Sequence, residues 1–570
     1  MSSPYAAKPW LKQYDSGVPA AVTVPDYPLF HFLAESARKY PDNTAIVFKG
    51  RRISYRQLND LTDALAAGLI ANGFKKGDRA VIYMPNTPQF VITYFGILKA
   101  GGIAIATNPL YTERELEHQL ADCGAETVFV LSLYYNQLKN VQRKGHTRVK
   151  RVVVTNIKEY LPAHLGLLFT LAKEKKEGHR VELEPGDMRF QDFLAAGQRA
   201  PKPNVSVSGD DIAVLQYTGG TTGLAKGAVG LHRNLVANTL MLQTWIEWEP
   251  GKEGFLAAIP FFHVYGMVTA MIFAVSIAGE MVIIVNPRDQ KDLLSSINKH
   301  QPAIFPGVPA LYNAINNNPD VAAGKYNIRS IRACISGSAP LLLETKRKFE
   351  ELTGGTLVEG FGMTESFVAT HANPIKGANK EGAIGLPLPN VDCKIVNVDD
   401  GVTEMPVGES GELIMKSPTI MQGYWQMPTE TENSLRDGWL YSGDIAKMDE
   451  EGYFYITDRK KDMIIAGGYN IYPREVEEVL MTHPAVVEVS VAGVKDPYRG
   501  ETVKAWVVKK EGDPITEEEL IEWSKGELAK YKYPRLLEFR DELPKTTVGK
   551  VLKRELVKQH QAGQPERTAG

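Results

Sequence analysis

Eleven consecutive residues, Tyr217-Thr-Gly-Gly-Thr-Thr-Gly-Leu-Ala-Lys-Gly227, hold four glycines, three threonines and one lysine. Glycine lets backbone N–H groups turn toward a guest, threonine hydroxyls donate further hydrogen bonds, and lysine adds a positive point charge. Such a set suits phosphate oxygens. It lacks the Gly-Lys-Ser/Thr ending of a P-loop, because Lys226 is followed by Gly227. A glycine- and threonine-rich run can also be a plain surface loop. Its place directly after the apolar stretch Ile212 to Gln216 favours a cradle, since open α/β sheets bind ligands beyond the carboxyl ends of their strands.

Four more clusters follow in order. Pro260-Phe-Phe-His-Val-Tyr-Gly266 sets a histidine among aromatics, and Glu359-Gly-Phe-Gly-Met-Thr-Glu365 puts a hydroxyl beside a carboxylate. Trp439-Leu-Tyr-Ser-Gly-Asp444 ends in one acid, and Pro544-Lys-Thr-Thr-Val-Gly-Lys550 ends in a lysine. Each has a bland alternative: a core histidine, a turn-capping aspartate, one lysine among several in a basic tail.

The elements that must hold these residues are legible from periodicity. Residues 45–131 alternate strand and helix: a strand at Ala45 to Phe48, a second short one after the turn at Gly50 that ends near Ser54, and strands at Arg79 to Tyr83, Ile103 to Ala106 and Thr127 to Leu131. Between them lie a helix with Leu58, Leu61, Leu65 and Leu69 on one face and Gly73 as its stop, a helix over Thr87 to Ala100, and one opened by the capping box Thr112-x-x-Glu115. Strand–helix–strand repetition with short links predicts a parallel sheet covered on both faces. After a short strand at Tyr453 to Ile456 comes the charged run Asp458-Arg-Lys-Lys-Asp462, a place where a large domain can join a small one. Beyond it the pattern predicts a small α+β unit: a helix near Glu475 to Met481, strands at Val486 to Val491 and Val503 to Val508, and a helix opened by Thr516-x-x-Glu519.

Composition narrows the partners. At 570 residues the chain must fold as two or more domains. A net charge of −2 offers no bulk attraction for nucleic acid, and none is expected as a partner. Cys123, Cys334 and Cys393 are too few and too scattered for a disulfide framework or zinc site, so three buried thiols in a reducing compartment are expected. Met1 to Trp10 has no secretory pattern and the Thr-Ala-Gly end no peroxisomal address, which points to a cytoplasmic location. The apolar run Val264 to Val285, broken at Gly279-Glu280, reads as a buried helix and a strand rather than a bilayer span.

Together and in this order, the five motifs resemble the adenylate-forming enzymes: acyl-CoA ligases, luciferases and the adenylation domains of peptide synthetases. The resemblance runs from about Phe30 to Leu556. Stretches such as Asn108-Pro-Leu-Tyr-Thr-x-Arg-Glu-Leu-Glu-His118, Gly423-Tyr-Trp-Gln, Asp458-Arg-Lys-Lys-Asp-Met and Glu538-Phe-Arg-Asp-Glu-Leu-Pro-Lys545 look most like bacterial long-chain fatty-acid–CoA ligases. The implied fold is α/β: a large N-terminal domain (1–458) of parallel-sheet subdomains with a β-rich subdomain, a hinge (459–462), and a small mobile α+β C-terminal domain (463–570). The implied substrates are a fatty acid, ATP and coenzyme A, with Mg²⁺, and relatives of this kind are often dimers. A medium-chain or aryl acid–CoA ligase, or a ligase loading a carrier protein, stays open because the tunnel walls set acid choice. The phosphate loop, Glu365 and Lys550 argue against a non-catalytic fatty-acid carrier.

The resemblance also implies roles. Thr218, Gly219, Gly220, Thr221, Thr222, Gly223 and Lys226 would hold the β- and γ-phosphates. Gly337, Ser338 and Ala339 would line the adenine with Phe361; Glu359, Gly360 and Gly362 would belong to the same nucleotide site; Thr364 would bond the α-phosphate, and Glu365 would hold Mg²⁺. Asp444 with Arg459 would take the ribose, and His263, Tyr265, Gly266 and Val308 the acyl carboxylate and chain. Lys550 would be the catalytic lysine, Lys461 the hinge, and Gly467 and Gly468 the thiol path. The sequence departs from the family pattern at Ala225, often proline, and at Phe361, often tyrosine.

One stretch is left over. In Leu161 to Arg180, Leu165, Leu167, Leu168, Phe169 and Leu171 are followed at once by Lys173, Lys175, Lys176, His179 and Arg180. The simpler reading is a helix packed on its own domain with a solvated end. The other is peripheral contact with the inner face of the cell membrane.

Overall fold

The computed structural model describes residues 3–218, 225–460, 462–466, 469–496, 499–546 and 549–562. The chain forms two compact units: Tyr14–Asp392 with Lys416–Gly438, and Met1–Gln13 with Cys393–Met415 and Trp439–Gly570.

In the larger unit the expected alternation is present. The helix Tyr55–Ala71 starts at Ser54, whose hydroxyl accepts from Gln57 N–H while the Gln57 side chain reaches back to Ser54 N–H. It buries Leu58, Leu65 and Leu69, with Leu61 half-buried. Burying each such side chain is worth about 1.5–3 kcal/mol. The next helix, Pro88–Lys99, is buried all round, as is the strand Ile103–Thr107, the mark of a sheet covered on both faces. The eight-stranded sheet runs in the order Gly423–Tyr424, Gly227–Leu231, Ile212–Tyr217, Ile103–Thr107, Arg79–Tyr83, Thr127–Leu131, Arg151–Thr155, Met188–Arg189. Its middle is parallel, and Ile212–Tyr217 and Gly227–Leu231 close it as an antiparallel pair around the glycine- and threonine-rich loop.

Two four-stranded sheets complete this unit. One holds Gly254–Ala257, Glu280–Ile283, Thr44–Phe48 and Arg51–Ser54, and the other holds Ala333–Ser336, Thr356–Met363, Val368–Ala372 and Leu386–Pro387. The apolar run after His263 is a buried helical stretch from Val264 to Ser276, including a wider turn at Met267–Ile272, and then the strand Glu280–Ile283. No helix among the described residues is long and apolar enough to cross a membrane. Cys123, Cys334 and Cys393 are free and buried, as expected.

The second unit pairs two β-layers with helices. Gly411–Lys416, Trp439–Met448 and Phe454–Arg459 form an antiparallel sheet. The Trp10 ring meets Phe454 edge-on, 6.1 Å between centroids, and the Tyr5 hydroxyl donates to Met405 O at 2.8 Å. The strand expected over Tyr453 to Ile456 runs on to Arg459, because Asp444 and Ile445 supply backbone partners for Arg459 and Asp458. The charged run therefore begins inside a strand. Beyond it, Val486–Asp496 and Gly500–Lys509 form a long hairpin, which runs further toward its turn than the apolar pattern shows, with Ile464–Ala466 and Leu536–Phe539 flanking Gly500–Lys509. The helix Pro473–Met481 and the capped helix Glu517–Glu527 cover its core.

The helix Ala163–Ala172 differs from the simpler expectation. None of its residues is buried.

Candidate active site

The mouth of the glycine- and threonine-rich loop is closed by Thr218 N–H donating to Lys226 O at 2.9 Å. Gly219, Gly220, Thr221, Thr222 and Gly223 lie outside the described residues. Lys226 Nζ is paired with Glu430 and lies 5.1 Å from the centroid of the Tyr424 ring. The Tyr424 hydroxyl in turn donates to Glu365 Oε1 at 2.6 Å. Burial, and then the Glu365 charge, push the Tyr424 phenol well above its ordinary pKa, so it stays a donor. Two backbone bonds fix this arrangement: Trp425 N–H to Gly227 O at 2.7 Å and Met421 N–H to Glu365 O at 2.8 Å. Thus the lysine of one motif and the carboxylate of another, 139 positions apart in the numbering (365 − 226), meet on one aromatic side chain.

Neighbouring parallel strands position the next group. Ala333–Ser336 and Thr356–Met363 run side by side with Ser336 opposite Glu359. Gly337, Ser338 and Ala339 therefore leave one strand beside the point where Glu359, Gly360, Phe361 and Gly362 continue the other. Ser338 has φ +70°, a left-handed turn that redirects the chain just past the strand end. Phe361 is half-buried, its ring edge-on to the fully buried His371 at 5.9 Å. Desolvation pushes the His371 imidazole down to about 3, so it is neutral at physiological pH. Gly362 is required by space, since a Cβ there would come 1.4 Å from Val368 O. Thr364 and Glu365 follow at once in the short turn Thr364–Ser366.

The His263 cluster is tied to both groups. Gln216, the last-but-one residue before the loop, donates from Nε2 to Phe262 O at 2.9 Å. Asn86 holds the same segment, bonding Ala257 O and Ile259 O and accepting from Phe261 N–H at 2.6 Å. His263 Nδ1 accepts from Tyr265 N–H at 3.3 Å. The buried Tyr265 hydroxyl lies 2.5 Å from Ile335 O and 3.0 Å from Gly307 O, next to Val308. Gly266 packs on backbone: a Cβ there would sit 2.4 Å from Pro260 O.

The remaining predicted residues belong to the second unit. Asp444 is buried and pairs with Arg459, Nε to Oδ1 3.1 Å, directly across the strand pair. Lys550 closes a tight turn in which its N–H donates to Thr546 Oγ1 at 3.1 Å and its carbonyl accepts from Thr546 N–H at 2.8 Å. Beside the expected hinge, Asp458 accepts from Arg474 N–H at 3.0 Å, at the start of the helix Pro473–Met481, and burial pushes its carboxyl up to about 6. Lys461, Gly467 and Gly468 lie outside the described residues.

Sequence reasoning missed Tyr424, Glu430, Gln216 and Asn86. Tyr424 had a signal, since Gly423-Tyr-Trp-Gln carries part of the resemblance, but no role was attached to it. The others are ordinary polar residues whose partners are remote in the chain.

Comparison with known proteins agrees with this layout. Residues 33–425 match the model of the AMP-binding enzyme family, and residues 475–550 match that of the AMP-binding enzyme C-terminal domain. A two-unit α/β enzyme with these motifs is what the fold defines. The chain belongs to the AMP-binding enzyme family. It is 45% identical over 557 residues to a long-chain-fatty-acid–CoA ligase of Bacillus subtilis, covering 97% of this chain and 98% of that one. It is 40% identical to a long-chain-fatty-acid–CoA ligase of Escherichia coli O6:H1, covering 96% and 98%. Among solved structures, ATP-bound MatB from Rhodopseudomonas palustris superposes with a TM-score of 0.81 at 30% identity, covering 94% of this chain and 99% of that one.

Proposed function

We propose that this chain joins the carboxylate of a long-chain fatty acid to the α-phosphate of ATP, releasing pyrophosphate, and then passes the acyl group from the adenylate to the thiol of coenzyme A, releasing AMP. The observation that carries the reading is the meeting of Lys226 and Glu365 on Tyr424 at the mouth of the loop, with Glu365 just past the strand that bears Phe361 and that strand paired with the one leading to the turn at Ser338. A cation to pair with the polyphosphate, a hard carboxylate for its metal ion and an aromatic face for its base are what a nucleoside triphosphate needs. The names of the relatives at 37–45% identity support a long-chain acid as the acyl donor.

In the first half-reaction an anionic carboxylate approaches a phosphorus already ringed by negative charge. Two unit charges about 4 Å apart repel by ~4 kcal/mol at an effective dielectric near 20. Lys226 would hold the outer phosphates, Thr364 the α-phosphate, and Lys550 would stabilise charge gathering in the transition state. Tyr424 occupies Oε1 of Glu365, which leaves the other carboxylate oxygen for a cation; Mg²⁺, commonly held by one or two carboxylates plus substrate phosphates, fits that donor set. Bound there, Mg²⁺ would neutralise phosphate charge. Asp444 and Arg459 would take the ribose, and His263, Tyr265, Gly266 and Val308 the acyl carboxylate and its chain. For the second half-reaction the C-terminal domain (463–570) would turn about Lys461 in the 459–462 hinge, withdrawing Lys550 and bringing Gly467 and Gly468 to the thiol path.

An acid-dependent ATP–pyrophosphate exchange screen across chain lengths tests the reading, with coenzyme A and a carrier protein compared as acceptors. Exchange with palmitate and thioester formation on coenzyme A are expected. Turnover with an aryl acid and none with palmitate would overturn the substrate; a carrier-only acceptor would overturn the second step.

A further inference from the structure

The helix Ala163–Ala172 and the basic stretch after it take no part in the geometry above. The exposed positions are Ala163, His164, Leu167, Leu168, Leu171 and Ala172, which recur every three to four residues and so form one face. Leu167, Leu168 and Leu171 are 62, 59 and 76% exposed, where a helix lying on its own domain would turn leucines inward. The opposite side is held, and by polar groups as much as apolar ones. Phe169 meets the His179 ring edge-on at 5.3 Å. Glu174 and His179 are buried anchors: Asn156 Nδ2 donates to Glu174 Oε1 and to His179 O, both at 3.1 Å, and Lys158 Nζ lies 2.7 Å from Glu174. The fold thus fixes this segment in place while presenting its leucines to the outside.

Beside that face the exposed charges are mainly of one sign. Lys173, Lys175, Lys176 and Arg180 are exposed; against them stand two exposed acids of the same stretch, Glu177, paired with Lys173, and Glu182, while Arg180 lies 3.8 Å from the buried Glu174. Lys175 and Lys176 pair with no carboxylate among the described residues. We propose that this face docks on an anionic lipid bilayer, with Leu167, Leu168 and Leu171 entering the interfacial layer and Lys173, Lys175, Lys176 and Arg180 meeting lipid phosphates. Ten helical residues span about 15 Å, too short to cross a bilayer but enough to lie in its surface. Because the whole chain carries a net charge of −2, attraction to anionic lipid must come from this local patch. The docking stands whether or not the acid substrate is long-chain.

Co-sedimentation of the full chain with phosphatidylcholine vesicles, with and without phosphatidylglycerol, tests it. Binding is expected to the phosphatidylglycerol vesicles and to fall with salt. The triple variant Leu167→Glu/Leu168→Glu/Leu171→Glu should lose roughly 100-fold in partitioning. The variant Lys173→Glu/Lys175→Glu/Lys176→Glu should lose roughly fivefold or more per lysine. Both should keep the melting temperature and the ATP–pyrophosphate exchange rate of the parent with a water-soluble acid. If the leucine variant melts early, the lysine variant, which touches no apolar contact, decides. Absence of parental binding, binding unaffected by either variant, or a parental dimer that the leucine variant splits while vesicles are ignored would overturn the proposal, the last in favour of a second copy on this face.

Discussion

The Tyr424 hydroxyl donates to Glu365 Oε1 at 2.6 Å while its ring lies 5.1 Å from Lys226 Nζ. One side chain therefore orients a carboxylate through its polar end and borders a cation with its π-face. Tyr424→Phe removes only the first of these contacts. Groups that orient a metal-binding carboxylate commonly contribute ten- to a hundredfold to metal affinity. The Mg²⁺ concentration for half-maximal adenylation should accordingly rise about tenfold, with the melting temperature nearly unchanged. A Mg²⁺ titration of pyrophosphate exchange checks this, and an unmoved midpoint would remove Glu365 from the metal site.

Lys550→Ala should separate the two half-reactions. Acid-dependent pyrophosphate exchange should fall by roughly a thousandfold, the scale of losing a transition-state charge partner. Thioester formation from supplied acyl-adenylate should stay near the parental rate. Equal loss of both would show that Lys550 supports the fold of its turn rather than adenylation.

Gly362→Ala tests the packing of the strand that carries Phe361. Its new Cβ would collide with the Val368 backbone, which is pinned in the facing strand by the pairs Gly362–Ala369 and Met363–Val368. A loss of about 3 kcal/mol or more is expected. Gly354→Ala is the control: φ is +74° there and nothing lies within 4 Å, so only the left-handed backbone is penalised, by about 1–2 kcal/mol. Urea unfolding of both variants gives the comparison, and equal losses would contradict the clash.

Stability should fall in acid through buried histidines. Burial pushes the His232 imidazole down to about 4, and its Nδ1 accepts from Leu29 N–H at 3.1 Å, which requires that nitrogen to be unprotonated. Between pH 4 and the ordinary value of about 6.5 the unfolded chain binds a proton that the folded chain refuses, so stability is lost as pH falls through that window. The contribution is about 3 kcal/mol. His371 acts in the same direction. His232→Gln should flatten the stability–pH slope between pH 6.5 and 4 by about one proton, read from urea midpoints across pH; an unchanged slope would contradict it.

What the sequence revealed follows the range of the interactions involved. The helix starts at Thr112 and Thr516 are four-residue patterns, and both form reciprocal caps. The glycine- and threonine-rich loop and the segment Glu359 to Glu365 were visible as motifs because their chemistry is concentrated in a few adjacent residues, whereas Asp444 and Arg459 were linked only through the family resemblance. The strand end at Arg459 was not visible, since its partner Asp444 fixes it across a β-pair. Tyr424, Gln216 and Glu430 were hidden for the same reason: each acts on a residue 46 to 204 positions away, and nothing local distinguishes them from surface polar residues. The outward leucines of Ala163–Ala172 illustrate the limit from the other side, because a decapeptide with only His164 and Thr170 as polar residues does not declare which face is covered.

The company kept by Trp10 has a bearing on how the protein is made. Its ring waits for Phe454, which leaves the ribosome more than 400 residues later, about 20–90 s at ordinary rates of synthesis. During that interval an indole and the Tyr5 phenol have no native partner, while the intervening chain has already emerged. Nascent molecules should therefore be vulnerable to holdase chaperones and proteases around Tyr5 and Trp10, and this segment should acquire its native contacts late.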